Sequence, residues 1–386
     1  MERRQYLQIP GPTNIPDRIL RSLSKPIINH RGSEFEDLVR GCIDGLKSVF
    51  RTKNDILIFP SSGSGALESA VVNMFSHGDT ILAASHGLFS ERVAIIAESY
   101  GVSVIRINKE WGKAIKDEDL REILRNDKYH KIKGVCLPQN ETTSGITNDI
   151  ESISTLLKEL NHPALLIVDA VSSLACLPFE TDKWGVDLVI SASQKGFMLP
   201  PGLSFVCISE KAWARREEAS LPKWYWDYNA AKEKMKNYQM PYTPPTSLLY
   251  GLKEALDIIE EEGLTKIWDR HNFIGTLTRE ALKSLGLELF AEEGYESDTV
   301  TAIKMPENIK YQDFAKVLKD KFNVVIGGGL GDLQGKIFRI GHLGSIHLME
   351  IYSILGAVEL TLYQLGYDLK LGTSSRRISE LILRKG

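Results

Sequence analysis

Residues 186–202, VDLVISASQKGFMLPPG, decide how the rest of the chain is read. The stretch opens as an apolar run, turns small and polar at Ser191 to Gln194, presents Lys195, and leaves through a proline–glycine turn. A run with so little polar alternation belongs inside a sheet that is covered on both faces. Six further runs resemble it: DILIFP (55–60), DTILAAS (79–85), VSVIRI (102–107), KGVCLP (133–138), ALLIVDA (164–170) and SFVCIS (204–209). Between about Ile19 and Phe205 they alternate with helical periodicity. That alternation predicts an α/β fold, with a mostly parallel seven-stranded sheet covered by helices.

Three of these runs open onto polar residues, and ligands in open α/β sheets bind outside the carboxyl ends of the strands. Asp169 ends ALLIVD, where it serves either a ligand or, as an N-cap, a helix beginning at AVSSL (170–174). KGVCLP runs into Asn140, Glu141, Thr142 and Thr143. Lys195 ends the third. A lone lysine at a strand end is ordinarily solvated, but this one lies between uncharged SASQ and apolar GFMLPPG. Such a setting desolvates the amine and lowers its pKa, as an imine-forming lysine requires. After DILIFP come Ser62, Gly63, Ser64 and Gly65 and then a helix, which makes either a tight turn or an anion cradle of free backbone amides. An acid, a lysine and an anion cradle together suggest pyridoxal phosphate. The carboxylate would keep the pyridinium protonated, the lysine would form the Schiff base, and the cradle would take the phosphate.

The segment LQIPGPTNIP (7–16) has three prolines and predicts an extended arm, assigned to residues 1–20. Residues 21–262 form the large domain in this reading, and 263–386 a smaller C-terminal α+β domain. In the latter, amphipathic helices near 266–286 and 349–366 flank strands at TVTAIKMP (299–306), NVVIGG (323–328) and KIFRIGHLG (336–344). The run GGGLGDLQGKI (327–337) is not a phosphate-binding P-loop, since its spacing is wrong and Ile337 stands where Ser or Thr is needed. It is expected to be a mobile or tightly turned loop.

A net charge of -3 in 386 residues excludes a general nucleic-acid binder, and no apolar run is long enough to span a membrane. Four cysteines, Cys42, Cys136, Cys176 and Cys207, lie far apart and form neither a zinc pattern nor a disulfide framework. With no secretory h-region at the start, a reducing cytoplasm is the expected compartment.

Nearly the whole chain resembles the class V, fold-type I aminotransferases, in the alanine-glyoxylate, serine-glyoxylate and serine-pyruvate group. The motifs are PGPTNIP (10–16), SSGSGALESAVVN (61–73), NETTSGITNDI (140–150), HPALLIVDAVSSL (162–174), the opening stretch, PYTPPTSLLYGLKEALDIIEEEGL (241–264) and FRIGHLG (338–344). The resemblance implies that Lys195 is the Schiff-base lysine and Asp169 the partner of the pyridinium nitrogen. It places Ser62, Gly63, Ser64 and Gln194 at the phosphate, Thr142 beside the phenolic oxygen, and Phe89 on the ring face where relatives often carry Trp. Without the resemblance, Phe89 reads as a core residue and Arg339 as half of a surface ion pair. With it, Arg339 grips the substrate carboxylate, and Gly11 and Thr142 border the substrate.

Tyr242 and Thr243 would reach the phosphate of a partner subunit, with Gly11, Pro12, His30 and Arg31 near the neighbouring site. An obligatory homodimer with a shared site follows from this. The implied reaction is ping-pong transfer of an amino group from L-serine or L-alanine to pyruvate or glyoxylate. A ureidoglycine-glyoxylate aminotransferase shares almost every motif. A cysteine desulfurase of the same fold needs a cysteine in the C-terminal part, and none follows Cys207. A noncatalytic relative would have no reason to keep Lys195, Asp169, Arg339 and the cradle together.

Overall fold

The computed structural model describes residues 5–385. Residues 1–4 of the expected arm lie outside them. The strands in chain order are β1 (Tyr6–Gln8), β2 (Asp55–Phe59), β3 (Thr80–Ser85), β4 (Ser103–Asn108), β5 (Ile132–Pro138), β6 (Asn140–Glu141), β7 (Ile146–Thr147), β8 (Leu165–Asp169), β9 (Leu188–Ala192), β10 (Ser204–Ile208), β11 (Val300–Lys304), β12 (Val324–Gly328) and β13 (Ile337–Gly341). Seven form one sheet in the order β2-β10-β9-β8-β5-β3-β4. Only β10 runs against its neighbours, β2 and β9, and the remaining pairs are parallel. The seven apolar runs of the sequence supply these seven strands.

The central strands are buried on both faces, and a separate hydrophobic cluster covers each face. On one side the helix Ser33–Phe50 contributes Val39, Ile43, Leu46 and Phe50; on the other, Gly63–Met74 contributes Ala66, Ala70 and Val71. Covering both faces commits the carboxyl ends of β5, β8 and β9 to a single edge, which is where the polar residues emerge.

A second sheet has the order β1-β12-β13-β11. The arm does more than lie on its neighbour, because Tyr6, Leu7 and Gln8 pair in parallel with Val324, Val325 and Ile326. The arm then crosses to the first sheet, where Thr13 N donates to the Gln194 carbonyl at 3.1 Å and Thr13 Oγ1 to the Lys195 carbonyl at 3.2 Å. The helices Leu264–Ser284, Tyr311–Phe322, Leu348–Gln364 and Thr373–Lys385 pack around the second sheet with their own core, including Phe314, Phe338 and Ile354. The sequence reading did not single out the second and fourth of these. The glycine run 327–337 is tightly turned: Gly329 N donates to the Ile337 carbonyl at 3.0 Å, and a 3-10 turn covers Gly331–Leu333.

Candidate active site

The expected AVSSL helix does not form. Residues 171–176 are successive turns: Asp169 Oδ1 accepts from Val171 N at 2.9 Å and Leu174 N donates to the Ala170 carbonyl at 3.0 Å, but Ala175 turns left-handed at φ 66 and no helix follows. Asp169 stands on the cavity wall, largely but not wholly covered, and burial pushes its carboxyl up to about 6 against the pull of the Val171 N–H.

Lys195 follows β9 in a turn fixed on all sides. Ser193 Oγ donates to the Pro200 carbonyl at 2.7 Å and accepts from Leu203 N at 3.2 Å, while Met198 N donates to the Lys195 carbonyl at 2.9 Å. The ε-amine donates to the Pro10 carbonyl of the arm. Gly11, at φ 116, is what lets the arm come so near: a Cβ there would stand 2.5 Å from Lys195 Nζ. Burial, and after it the Arg339 charge, bring the Lys195 amine down to about 8, while Asp169 pulls the other way.

Both residues line one cavity of about 300 Å³, together with Gly11, Ser62, Gly63, Ser64, Phe89, Thr142 and Gln194. The helix Gly63–Met74 starts at that wall with Ser62 as its N-cap and no side-chain cap; Gly65 N donates to the Ser62 carbonyl at 3.0 Å, and the amides of Gly63 and Ser64 ahead of it have no intrahelical partner. Gly63 must be small, because a Cβ would meet Val171 Cγ2 at 2.7 Å. Gln194 leaves its buried Oε1 without a hydrogen-bond partner among the described residues. Phe89 lines the cavity rather than joining the core.

Arg339 is no surface ion pair. It is 5% exposed, and its Nε donates to the Gly328 carbonyl and its Nη1 to the Thr142 carbonyl, each at 2.9 Å. Burial lowers its pKa from the usual arginine value. Carbonyls fix the fork without neutralising it, and the Thr142 bond attaches it to the cavity wall.

Tyr242 and Thr243 do not line this cavity. Tyr242 OH donates to the Trp224 carbonyl at 2.9 Å, and its ring stacks on Trp224 and Tyr225 with centroids 4.8 Å away in both cases. Arg31 reaches the same region, donating from Nη1 to the Met240 carbonyl at 3.1 Å.

Two residues that shape the site were given no role by the sequence, although Glu141 was named in the polar stretch after KGVCLP. Fully buried Glu141 accepts from Ser90 N at 2.7 Å and Thr143 N at 2.9 Å, which fixes the start of the helix Leu88–Ser99 and so the place of Phe89. Glu141 follows β5, and its place beside Asn140 in the polar stretch was the available signal. Arg92, on that same helix, also lines the cavity. Chemically, a desolvated amine can condense with an aldehyde, the helix amides can hold an anion, and the buried carboxylate can keep a cationic nitrogen protonated.

The model of the family "Aminotransferase class-V" matches residues 5–333. A serine–glyoxylate aminotransferase of Methylorubrum extorquens is 40% identical, covering 96% of this chain and 94% of its own. An L-aspartate–glyoxylate aminotransferase of Paracoccus denitrificans is 38% identical over 97% and 95%, and a Synechococcus protein named soluble hydrogenase small subunit is 37% identical over 95% of both. The solved structure of an alanine–glyoxylate aminotransferase from Nostoc sp. superposes with a TM-score of 0.86 at 31% identity, over 94% of this chain and 96% of that one. This chain therefore belongs to the class V aminotransferases, transaminases that use pyridoxal phosphate.

Proposed function

We propose that the chain moves the amino group of L-serine or L-alanine to glyoxylate or pyruvate, with pyridoxal phosphate held at Lys195. One observation carries this reading: Lys195, Asp169 and the open start of the helix Gly63–Met74 meet in a single cavity. The glycine-lined approach of the arm and the open amides of Gly63 and Ser64 fit a bound cofactor, and the Gln194 NH2 can donate to its phosphate. When bound, pyridoxal phosphate supplies an aldehyde carbon that condenses with amines and a ring that draws electrons from the substrate Cα.

Asp169 would hold a proton at the ring nitrogen, and the cationic nitrogen opposite would favour the ionised carboxylate. Ser62, Gly63, Ser64 and Gln194 would hold the phosphate, Thr142 would serve the phenolic oxygen, and Phe89 would support the ring. Arg339 receives the substrate carboxylate in a two-pronged grip, which lysine would not reproduce. Lys195 would hold the cofactor's aldehyde carbon, and its free amine would carry a proton to and from the substrate Cα. The amino group is accepted in one half-reaction and given up in the next.

The serine–glyoxylate and alanine–glyoxylate names of the relatives support glyoxylate as acceptor. The aspartate–glyoxylate relative raises a dicarboxylic donor. Tyr242, Thr243, His30 and Arg31 are proposed to serve the cavity of a second copy in a homodimer. Four buried free cysteines support a cytoplasmic setting, and among the described residues no helix is long and apolar enough to cross a membrane.

The test is a half-reaction panel on the loaded enzyme, followed by its visible absorbance. L-serine and L-alanine should discharge it at least about tenfold faster than L-aspartate or ureidoglycine. Faster discharge by aspartate would overturn the donor assignment, and a Lys195→Ala protein that transfers amino groups at the wild-type rate would overturn the mechanism.

A further inference from the structure

Arg92 has no part in the roles above, yet it stands on the cavity wall. It lies one helical turn beyond Phe89 on the helix Leu88–Ser99, on the same face. Its guanidinium carbon is 4.9 Å from the centre of the Phe89 ring, and its Nη1 donates to Ser64 Oγ at 2.9 Å. Among the described residues no carboxylate comes within ion-pair distance of it. Arg106, Arg215, Arg270, Arg279 and Arg377 each hold an Asp or Glu. A guanidinium keeps its charge at any working pH, and a half-buried one without a counter-ion is costly until an anion arrives.

The anion end of the cavity shows the complementary lack. Ser62, Gly63, Ser64 and Gln194 are all neutral, whereas a phosphate ester brings close to two negative charges. The direction of the Arg92–Ser64 bond adds a second point. Because the Ser64 oxygen accepts from a cation, its own proton is left free to be donated, and the adjacent charge makes it a stronger donor.

We propose that Arg92 is a positioning residue for the cofactor phosphate: it aims the Ser64 hydroxyl into the cradle and supplies the positive charge that the cradle's own groups lack. This rests on the cofactor reading given above. It concerns recognition of the phosphate alone, so a ligand without the phosphate should be nearly indifferent to it.

Equilibrium titration of the cofactor-free protein with pyridoxal phosphate and with pyridoxal, followed by absorbance and tryptophan fluorescence, separates the two contributions. Arg92→Gln should weaken pyridoxal phosphate about 10- to 100-fold and pyridoxal by less than about threefold. Arg92→Lys, which keeps the charge, should recover part of that loss. If Arg92 works through Ser64, the losses from Arg92→Gln and Ser64→Ala should fall short of additive in the double variant. Unchanged binding of pyridoxal phosphate by Arg92→Gln, or equal loss of both ligands, would overturn the proposal. A wild-type protein that takes up neither ligand would instead overturn the cofactor reading beneath it.

Discussion

Lys195 is poised by its surroundings more than by any single contact. Burial lowers the amine from 10.5 to about 8, the Arg339 charge adds to this, and Asp169 restrains it. Only the neutral amine attacks an aldehyde, so the rate at which the cofactor-free protein captures pyridoxal phosphate should climb roughly tenfold per pH unit below 8 and level off above it. Stopped-flow absorbance from pH 6 to 9 measures this, and a flat profile would contradict the buried setting of the amine. The linkage to stability has the same origin. Between about 8 and 10.5 the unfolded chain binds more protons at this lysine than the folded one does, so the folded state gains up to about 3 kcal/mol as pH rises through that window. Below it the full cost is present. Lys195 and Asp169 were legible in the sequence because each ends an apolar run with a group that such a place does not ordinarily tolerate. Arg92 was not, since its meaning depends on a contact with Ser64 across two helices and on the lack of a nearby carboxylate.

The elements that hold these residues divide in the same way. Seven apolar runs became seven strands: burial on both faces leaves an unmistakable pattern in the central ones, the edge strand β4 is mostly accessible, and sheet order then brought three strand ends to one edge. The pairing of Tyr6–Gln8 with Val324–Ile326 was hidden, because nothing local specifies a partner more than 300 residues away. The turn after Asp169 was misleading for the opposite reason: AVSSL has a capping residue in front of it and its first turn does form, but Ala175, left-handed at φ 66, stops it there. Val171 in that turn packs against Gly63 at the start of the cradle helix, which couples the acid's turn to the amides of the anion site. Gly63→Ala should therefore displace both, since its Cβ would need to stand 2.7 Å from Val171 Cγ2. Repacking of this size costs about 1–3 kcal/mol, so pyridoxal phosphate should bind about 5- to 100-fold more weakly, as read by equilibrium titration. A Gly63→Ala protein with wild-type affinity would show that the two sites are not coupled through Val171.

At the scale of the molecule, the arm and the second sheet close what the first sheet opens. Pro10 and Gly11 cover Lys195, and Arg339 comes from β13 to meet Thr142. We propose the domain boundary at Gly263, φ 84, which joins the helix Thr246–Glu262 to Leu264–Ser284. The first helix packs on Asp17–Leu23 and Ser33–Phe50, and the second on Leu348–Gln364 and Thr373–Lys385. Arg270 spans the junction, bonding Glu262 on one side and the Gly344 carbonyl on the other. What a single chain leaves apart is Tyr242 and Thr243, held outside its cavity beside Trp224, which is 74% exposed.

If those residues complete the cavity of a second copy, activity must complement between subunits. Lys195→Ala and the double variant Tyr242→Ala, Thr243→Ala should each be nearly inactive as homodimers. Mixed after gentle dissociation, half of the dimers become heterodimers, and each heterodimer has one site with both an intact lysine and an intact partner segment. The mixture should then recover about a quarter of wild-type activity, because the other site of every heterodimer lacks both. Sedimentation should show a dimer throughout. A mixture with no more activity than its two components would mean that Tyr242 and Thr243 serve only the chain that carries them.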